Sequence, residues 1–400
     1  MRQSATYLFT LFLLALAAPF LAAQQPAGLP ENGQVEVLPI APSKQPPVAP
    51  PTNTTPLIPP AVTSGAAAQD NGPTHGLMAG GAFYFLRPYL QNNTSFVTTI
   101  NPGQPNSQVI SDSFRWDFQP AFAGWIGWTD ACGLGIRSRY FQFSESSETA
   151  SLNNGITPPP QTQTTITPPL ANFLTLSTGG SAFGSPGTLL NTGFGTDHLT
   201  FGSDLRIQTI DLELTYRMNT AFGLFQAFGG GRYLNLAQGY HATLTNNGGG
   251  APISESQSFD ASRTFQGGGP TGGLEWNIPI RRTGLSVYAN ARGSLLVGNS
   301  KDTVSFSQTI NDPEGLIPGH VVPPQPAILH ISPTSSRSSD GVIPTAELEL
   351  GFEYGHRVGR CWLFFRGAAV SQTYFDAGNA SQATGNFSLF GAQATLGIGF

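Results

Sequence analysis

The stretch FSLFGAQATLGIGF, residues 387–400, decides the fold. Read backwards, every second residue is apolar: Phe400, Ile398, Leu396, Ala394, Ala392 and Phe390. Between them stand Gly399, Gly397, Thr395, Gln393 and Gly391. Side chains alternate across a strand with period two, so this is a strand with one greasy face and one wet face. The wet face carries glycine and small polar groups rather than charge, which suits a crowded interior. Phe400 therefore reads as the end of a paired strand, and the question is which solvent the greasy face meets.

Composition narrows the answer. Charged residues make up 10% of the 400-residue chain, against roughly a quarter in soluble domains. Mean hydropathy is -0.07, and no segment approaches the roughly 18 uncharged apolar residues of a spanning helix. Low charge with 48 glycines fits a membrane β-barrel, whose strands each average to neutral. It also fits a soluble, Gly-rich all-β extracellular protein. A net charge of -5 without a basic patch argues against a nucleic-acid partner.

The N-terminus favours export. Arg2 precedes YLFTLFLLALAAPFLAA, an apolar core ending in small residues, which reads as a signal peptide over residues 1–23 cleaved near Ala23. Residues 24–75 hold twelve prolines and almost no aromatics. Such a segment buries no core and is expected to be an extended periplasmic spacer, either passive or an arm toward the cell wall. Cys132 and Cys361 are the two cysteines, too few for a disulfide-built fold. Both are expected beside turns on strands far apart in order, and a bridge needs Cα atoms within about 7 Å, so none is expected.

From Leu77 onward alternating segments recur, at about 77–90, 114–128, 132–146, 202–218, 222–242, 259–279, 284–298, 343–358, 360–375 and 387–400. The links between them alternate in length. Short ones fall at TDA, NTA, IRRT and VGR; long ones cover 91–113, 147–201, 243–258, 299–342 and 376–386. Turns on one side and loops on the other are the pattern of an outer-membrane barrel, whereas a sandwich has no reason to sort loops by parity. The expected fold is thus a transmembrane antiparallel up-and-down β-barrel over residues 76–400. It has ten strands, or twelve if a further hairpin lies in 147–201 or 299–342. SFVTTINPGQPNSQVISDSFRW reads as a tall hairpin above the membrane. Trp128, Tyr216, Trp276, Trp362 and Phe400 lie near short turns and are expected in an interfacial aromatic girdle. The last strand must pair with the first so that no edge meets lipid.

If the apolar parity meets lipid, the other parity fills the lumen. That sends Asp211, Glu213, Arg217, Glu275, Arg292, Glu347, Glu349 and Glu353 inward, and with them Arg137, Arg139, Arg232 and Arg366. Carboxylates grouped in one interior suggest catalysis or a cation site; the plainer reading is that they pair with arginines. Arginine outnumbers lysine sixteen to two, which suits bidentate carboxylate pairing. Eight strands leave a filled interior and about sixteen a channel, so ten should leave a narrow pore at most. The loops carry Glu148, Asp302, Asp312, Glu314 and Asp340 against Lys301 and Arg337, an acidic mouth that would favour cations weakly.

No GxxxxGK[ST], HExxH or CxxC motif is present. GFGTDHLTFG and FGGGRY are Gly-rich, as strands are where backbones pack closely. The pair Asp197–His198 invites comparison with outer-membrane proteases but lacks further carboxylates at matching positions. No enzyme activity, cofactor or metal is expected.

GAFYFLRPYLQNNTSF, CGLGIRSRYFQF, IQTIDLELTYR, FQGGGPTGGLEWNIPI, GLSVYANARGSLLVG, PTAELELGFEY and the FDAGNAS…FSLFGAQATLGIGF ending together resemble the Legionella-type major outer-membrane protein family. The likeness is to a divergent branch of the kind found in Planctomycetes. It covers most of 77–400 and implies an exported, pore-forming barrel in the cell outer membrane. Its partners would be lipid and, through the C-terminal strand, the barrel-assembly machinery. The Pro-rich spacer and the long second loop depart from the family, and that loop is a candidate plug. Two functions follow: a narrow pore for ions or small polar solutes, or a closed structural barrel acting through its surface loops and spacer.

Overall fold

The computed structural model describes residues 75–100, 105, 108–154, 164–167, 197–220, 223–246, 254–280, 283–312, 327–332, 334–380 and 385–400. The expected signal peptide and, His75 apart, the spacer lie outside these residues. So does much of the long second loop.

Fifteen strands are described, in chain order: β1 (Gly76–Leu90), β2 (Thr94–Ile100), β3 (Gln108–Ser113), β4 (Gln119–Thr129), β5 (Leu134–Ser146), β6 (Ala150–Asn154), β7 (Thr164–Thr167), β8 (Asp197–Thr220), β9 (Gly223–Asn246), β10 (Ser254–Pro279), β11 (Leu285–Asp312), β12 (Ala327–Ile331), β13 (Thr334–Val358), β14 (Cys361–Tyr374) and β15 (Phe387–Gly399). Ten of them form one antiparallel ring in the order β1-β4-β5-β8-β9-β10-β11-β13-β14-β15. The ring shuts where β1 meets β15, from Met78 opposite Gly399 to Leu90 opposite Phe387. Phe400 N–H then donates to the Leu77 carbonyl at 2.9 Å. The wall then has no open strand edge, as a bilayer core requires. β6 and β12 add short pieces to β8 and β11, and β2, β3 and β7 make a separate three-stranded sheet. Ten wall strands are present, and the described parts of 147–201 and 299–342 add no further hairpin to the wall.

Four links are short and share one end. In the first, Asp130 Oδ1 accepts the N–H groups of Cys132 at 2.9 Å and Leu134 at 2.8 Å. Gly133 follows at φ +86°, where a Cβ would come within 2.3 Å of the Arg217 carbonyl oxygen. That position therefore demands glycine.

The wall has two parts that obey opposite rules. Near the turns, Ile210, Leu212, Leu214 and Tyr216 point outward and are exposed. Farther along the same strand the apolar set moves to the other parity: Leu199, Phe201, Leu205 and Ile207 point inward and are buried. The switch falls on one paired row. Gln142, Gln208, Asn235, Gln266, Asn299 and Asp340 sit opposite one another across six strands. On the turn side of that row the outer surface is greasy (Tyr140, Ile210, Tyr233, Val297, Val342); on the loop side it carries Ser, Thr, Asn and charge. The first part matches a hydrocarbon-facing band and the second a barrel wall standing in water.

This second part corrects the expected loops. β11 continues to Asp312 and β13 begins at Thr334, so most of 299–342 is strand; likewise 243–258 shrinks to the link between Asn246 and Ser254. Above the row polar residues face out and apolar ones face in, so a search for lipid-facing stretches passes over these segments. Residues 114–118, expected in a strand, instead bend inward and bury Phe114 and Trp116. Trp116 Nε1–H donates to Asn93 Oδ1 at 2.8 Å and Asp117 N–H to Glu145 Oε1 at 2.9 Å. Of the hairpin expected over 95–116, β2 and β3 form the paired part, and 114–116 fall outside it. Its base, with the loop after β14, fills the interior: Tyr240 O–H donates to the Ser95 carbonyl at 2.8 Å and Gln238 Nε2 to the Gly378 carbonyl at 3.2 Å.

Candidate functional site

In the greasy-walled part, charge has one place to go. A lipid-facing Arg or Lys costs about 2–4 kcal/mol at mid-membrane, so parity drives the charged residues of these strands into the lumen. Buried charge in turn needs partners with good geometry.

The centre is Asp211. Arg232 grips it bidentately, Nε to Oδ1 at 2.6 Å and Nη2 to Oδ2 at 2.9 Å, and Arg292 bonds the same Oδ2. Arg292 Nη2 also lies 3.0 Å from Glu213, which Arg137 holds from the other side at 2.8 Å. Arg232 reaches on to Glu347. The side chains of Arg232 and Arg292 are 1% exposed, those of Asp211 and Glu213 0%.

Toward the turns the network loosens. Arg137 and Arg366 share Glu275, at 3.3 and 2.9 Å, and Arg366 also bonds Glu353. Arg217 donates through Nε and Nη2 to Gln226 Oε1, both at 3.2 Å, and contacts Met78 Sδ at 3.6 Å. Arg366 lies over the Tyr288 ring at 4.2 Å, and Phe228 lies between Arg137 and Arg292 at 4.9 and 4.8 Å. All twelve lumen residues named from the sequence thus occur in one interior. The neutral members Tyr84, Phe228, Tyr288 and Gln393 share the same inward parity, which was the signal available for finding them.

Arg139 reaches across the lumen. It bonds Tyr84 Oη at 3.1 Å and Glu347 at 3.3 Å and lies 3.8 Å from Glu349. Glu349 is held in place by the O–H of Tyr288 at 2.9 Å and the amide of Gln393 at 3.1 Å. β5 and β13 stand five steps apart in a ring of ten, so the Arg139 bridge crosses the full width of the lumen. Beneath it, toward the turns, remains a cavity of about 100 Å³ lined by polar and aromatic side chains.

The aromatic girdle divides. Trp128, Tyr216 and Phe400 are exposed on the outer surface, and Trp276 lies on the outward parity, half-buried. Trp362 departs from the girdle: it shares parity with Arg366 and lines the cavity. Gly355 gives it room, since a Cβ there would come within 2.1 Å of its ring. The loop acids also need correction. Glu148 and Asp340 are exposed, but Asp302 is 8% exposed and 3.8 Å from Arg263. Burial pushes its carboxyl upward, against the pull of Arg263 and Arg337. Glu314 and the Asp312 side chain lie outside the described residues. His198 is exposed on the outer face of β8. Cys132 and Cys361 are free thiols, and among the described residues no group of His, Cys, Asp and Glu is placed to hold a metal.

A closed ring of antiparallel strands with a greasy outer band and its charge inside is a β-barrel membrane protein of the outer-membrane class. The family model described as the Legionella pneumophila major outer membrane protein precursor matches residues 73–397, and the chain belongs to that family. Its place is the outer membrane. No curated protein matches the chain. Solved structures with some similarity include a FadL homologue from Pseudomonas aeruginosa, 9% identical over 81% of this chain and 90% of that one, at a TM-score of 0.22. The transport unit of the autotransporter AIDA-I from Escherichia coli has the same figures. The Pseudomonas putida toluene transporter TodX is 9% identical over 81% and 89%, at 0.20. At such scores these likenesses carry no argument about mechanism.

Proposed function

We propose that the protein is a closed, non-enzymatic outer-membrane barrel that acts through the wall and loops it raises above the membrane. The observation that carries this reading is the Arg139 bridge to Glu347 and Glu349 across the full lumen, backed by ion pairs whose side chains water does not reach. Parting them would strand buried charges, at a cost of about 3–5 kcal/mol per broken pair, so a resting conduit is disfavoured. The long strands β8, β9, β10, β11 and β13 and the loops between them then form the contact surface.

A second reading, a narrow pore for ions or small polar solutes with weak cation preference, draws on the cavity beneath the bridge. It requires Arg139 to release β13. Single-channel recording of residues 24–400 refolded into a planar bilayer separates the two. The closed reading expects a folded barrel without steps. Discrete, salt-dependent steps would replace it with the pore, and the reversal potential under a salt gradient would then give the selectivity.

A further inference from the structure

We propose that the outer face of β5, β8, β9, β10 and β11, just above the greasy band, binds the headgroup of a phosphorylated glycolipid. The loop side of an outer-membrane barrel faces out of the cell, so the lipid is one of the outer leaflet. The site lies on the wall and is independent of whether the lumen conducts.

Three observations carry it. The first is the order of the outward rungs. The last rung of the greasy band runs Tyr140, Ile210, Tyr233, Gly268, Val297 and Val342 across six strands. Two residues along each strand, about 7 Å higher, comes the polar row. Its members on these five strands are all carboxamides: Gln142, Gln208, Asn235, Gln266 and Asn299. The next outward rung holds Ser144, Arg206, Ala237, Thr264, Lys301 and Ser338. Apolar groups, amides and cations thus succeed one another where acyl chains give way to a headgroup. Tyr140 O–H reaches up to Gln142 Oε1 at 2.8 Å, as a ring does at a membrane–water interface.

The second is what the amides have left to offer. Gln142, Gln208 and Asn299 each accept a protein hydrogen bond at the carboxamide oxygen, from Tyr140 O–H at 2.8 Å, Asn235 Nδ2 at 3.3 Å and Ser338 O–H at 2.7 Å. Their N–H groups have no acceptor among the described residues, and all three side chains are open to solvent. A row whose oxygens are engaged and whose N–H groups are free presents donors, and donors require an oxygen-rich partner.

The third is the pair of cations. Arg206 and Lys301 are exposed and form no ion pair among the described residues. They flank Ala237 and Thr264 on one rung, three strand spacings or about 14 Å apart, a distance that the two ends of a disaccharide reach. A phosphate at each end gives each cation a partner, and the sugar oxygens between them meet the amide donors. The acids of this face are engaged or at its margin. Asp204 and Asp260, one and two rungs higher, take His241, and Asp340 closes the amide row on β13. A plain phospholipid brings one phosphate and few hydroxyls, and leaves that row unmatched.

The test uses the full barrel refolded in detergent, with folding verified by the heat-dependent shift of its electrophoretic mobility. It is titrated with a glucosamine-disaccharide lipid carrying two phosphates, the same lipid with both phosphates removed, and phosphatidylglycerol, and bound lipid is counted by native mass spectrometry. The expected result is saturable binding of the bisphosphorylated lipid, with the other two weaker by about tenfold or more. Inorganic phosphate at equal concentration should not displace it. Arg206→Gln and Lys301→Gln should each weaken binding about fivefold and together about thirtyfold, the contribution of a cation beside a lipid headgroup. Gln142→Leu should weaken it about fivefold through the lost hydrogen bond. Arg360→Gln, which removes an exposed cation at the turn end, should leave binding unchanged. Equal binding of phosphatidylglycerol or of the dephosphorylated lipid, displacement by inorganic phosphate, or an equal loss in Arg360→Gln would overturn the proposal. So would unchanged affinity in the folded double variant or in Gln142→Leu. Because Arg206, Lys301 and Gln142 are exposed, these variants leave the buried core intact and the test stays decisive.

Discussion

The two parts of β8 make an instructive pair. From Thr209 to Arg217 the buried set is polar and charged, and the exposed set is Ile210, Leu212, Leu214 and Tyr216. From Leu199 to Ile207 the buried set is apolar and the outer set is polar. The backbone is the same continuous strand, paired with β9 along its whole length. What changes is the solvent outside. Where lipid is outside, polar groups can be satisfied only against each other, so the core becomes an ion-pair network; where water is outside, the usual apolar core returns. One part is held by charge geometry and the other by packing.

The largest effect should come from breaking the charged core. Asp211→Ala leaves Arg232 and Arg292 facing each other without their shared carboxylate and should cost about 3–5 kcal/mol in equilibrium urea unfolding of the refolded barrel. Asp340→Ala, on the outer surface of the water-facing part, should stay within about 0.5 kcal/mol. Equal losses would mean that the two parts do not differ as described.

Next come outward positions. Leu212→Arg places a charge in the lipid band and should cost about 2–4 kcal/mol, whereas Ser262→Arg, outward on the watery part of β10, should change stability by about 0.5 kcal/mol or less. Urea midpoints measured on the same lipid preparation check this directly.

A smaller effect should appear as pH dependence in the water-facing part. Glu145 is held in an apolar setting above the polar row; burial raises its carboxyl to about 7, against a backbone N–H from Asp117 that lowers it. The folded state thus keeps a proton that the unfolded chain releases from about 4.5 upward. Glu145 should make stability fall as pH rises from about 4.5 to about 7 and level off above. Glu145→Gln should remove that slope in unfolding midpoints taken across the range.

The smallest belongs to His241, half-exposed between Asp260 at 2.7 Å and Asp204 at 3.7 Å. Partial burial lowers its affinity for a proton, but the Asp260 hydrogen bond and both carboxylate charges outweigh it and raise the imidazole above 6.5. Its contribution should be complete below 6.5 and fade as pH rises through the raised value. A midpoint-versus-pH curve for His241→Asn should lack that decline.

Much of this was legible in the sequence, for physical reasons that also mark where reading stopped. Phe387–Phe400 betrayed a strand with one lipid face, and the same parity rule placed Asp211, Glu213, Glu347 and Arg232 inside. Parity assigns a face, though, and not a partner across the lumen. Nothing in the spacing of Arg139 and Glu347, separated by 208 positions, shows that they span the ring. The watery part of the wall was legible in principle. In β8 the apolar set shifts from even to odd positions between Ile210 and Ile207, and a search tuned to one apolar parity passes over that shift. Trp362 went to the wrong surface for a related reason: its nearness to a turn suggested the girdle, whereas its spacing from Arg366 puts it in the lumen. Asp302 read as a loop charge because its neighbours Lys301 and Thr303 are polar; burial against Arg263 is visible only once β10 and β11 are paired.

The most direct test is where the solvent changes. Single cysteines at Leu212 and Ser262, in a background with Cys132 and Cys361 replaced by serine, would be labelled with a small fluorophore and the barrel reconstituted in bilayers. Quenching by brominated lipid chains should be strong at 212 and absent at 262, with an aqueous quencher giving the reverse. Equal lipid quenching at both positions would contradict the division of the wall into a lipid-facing and a water-facing part.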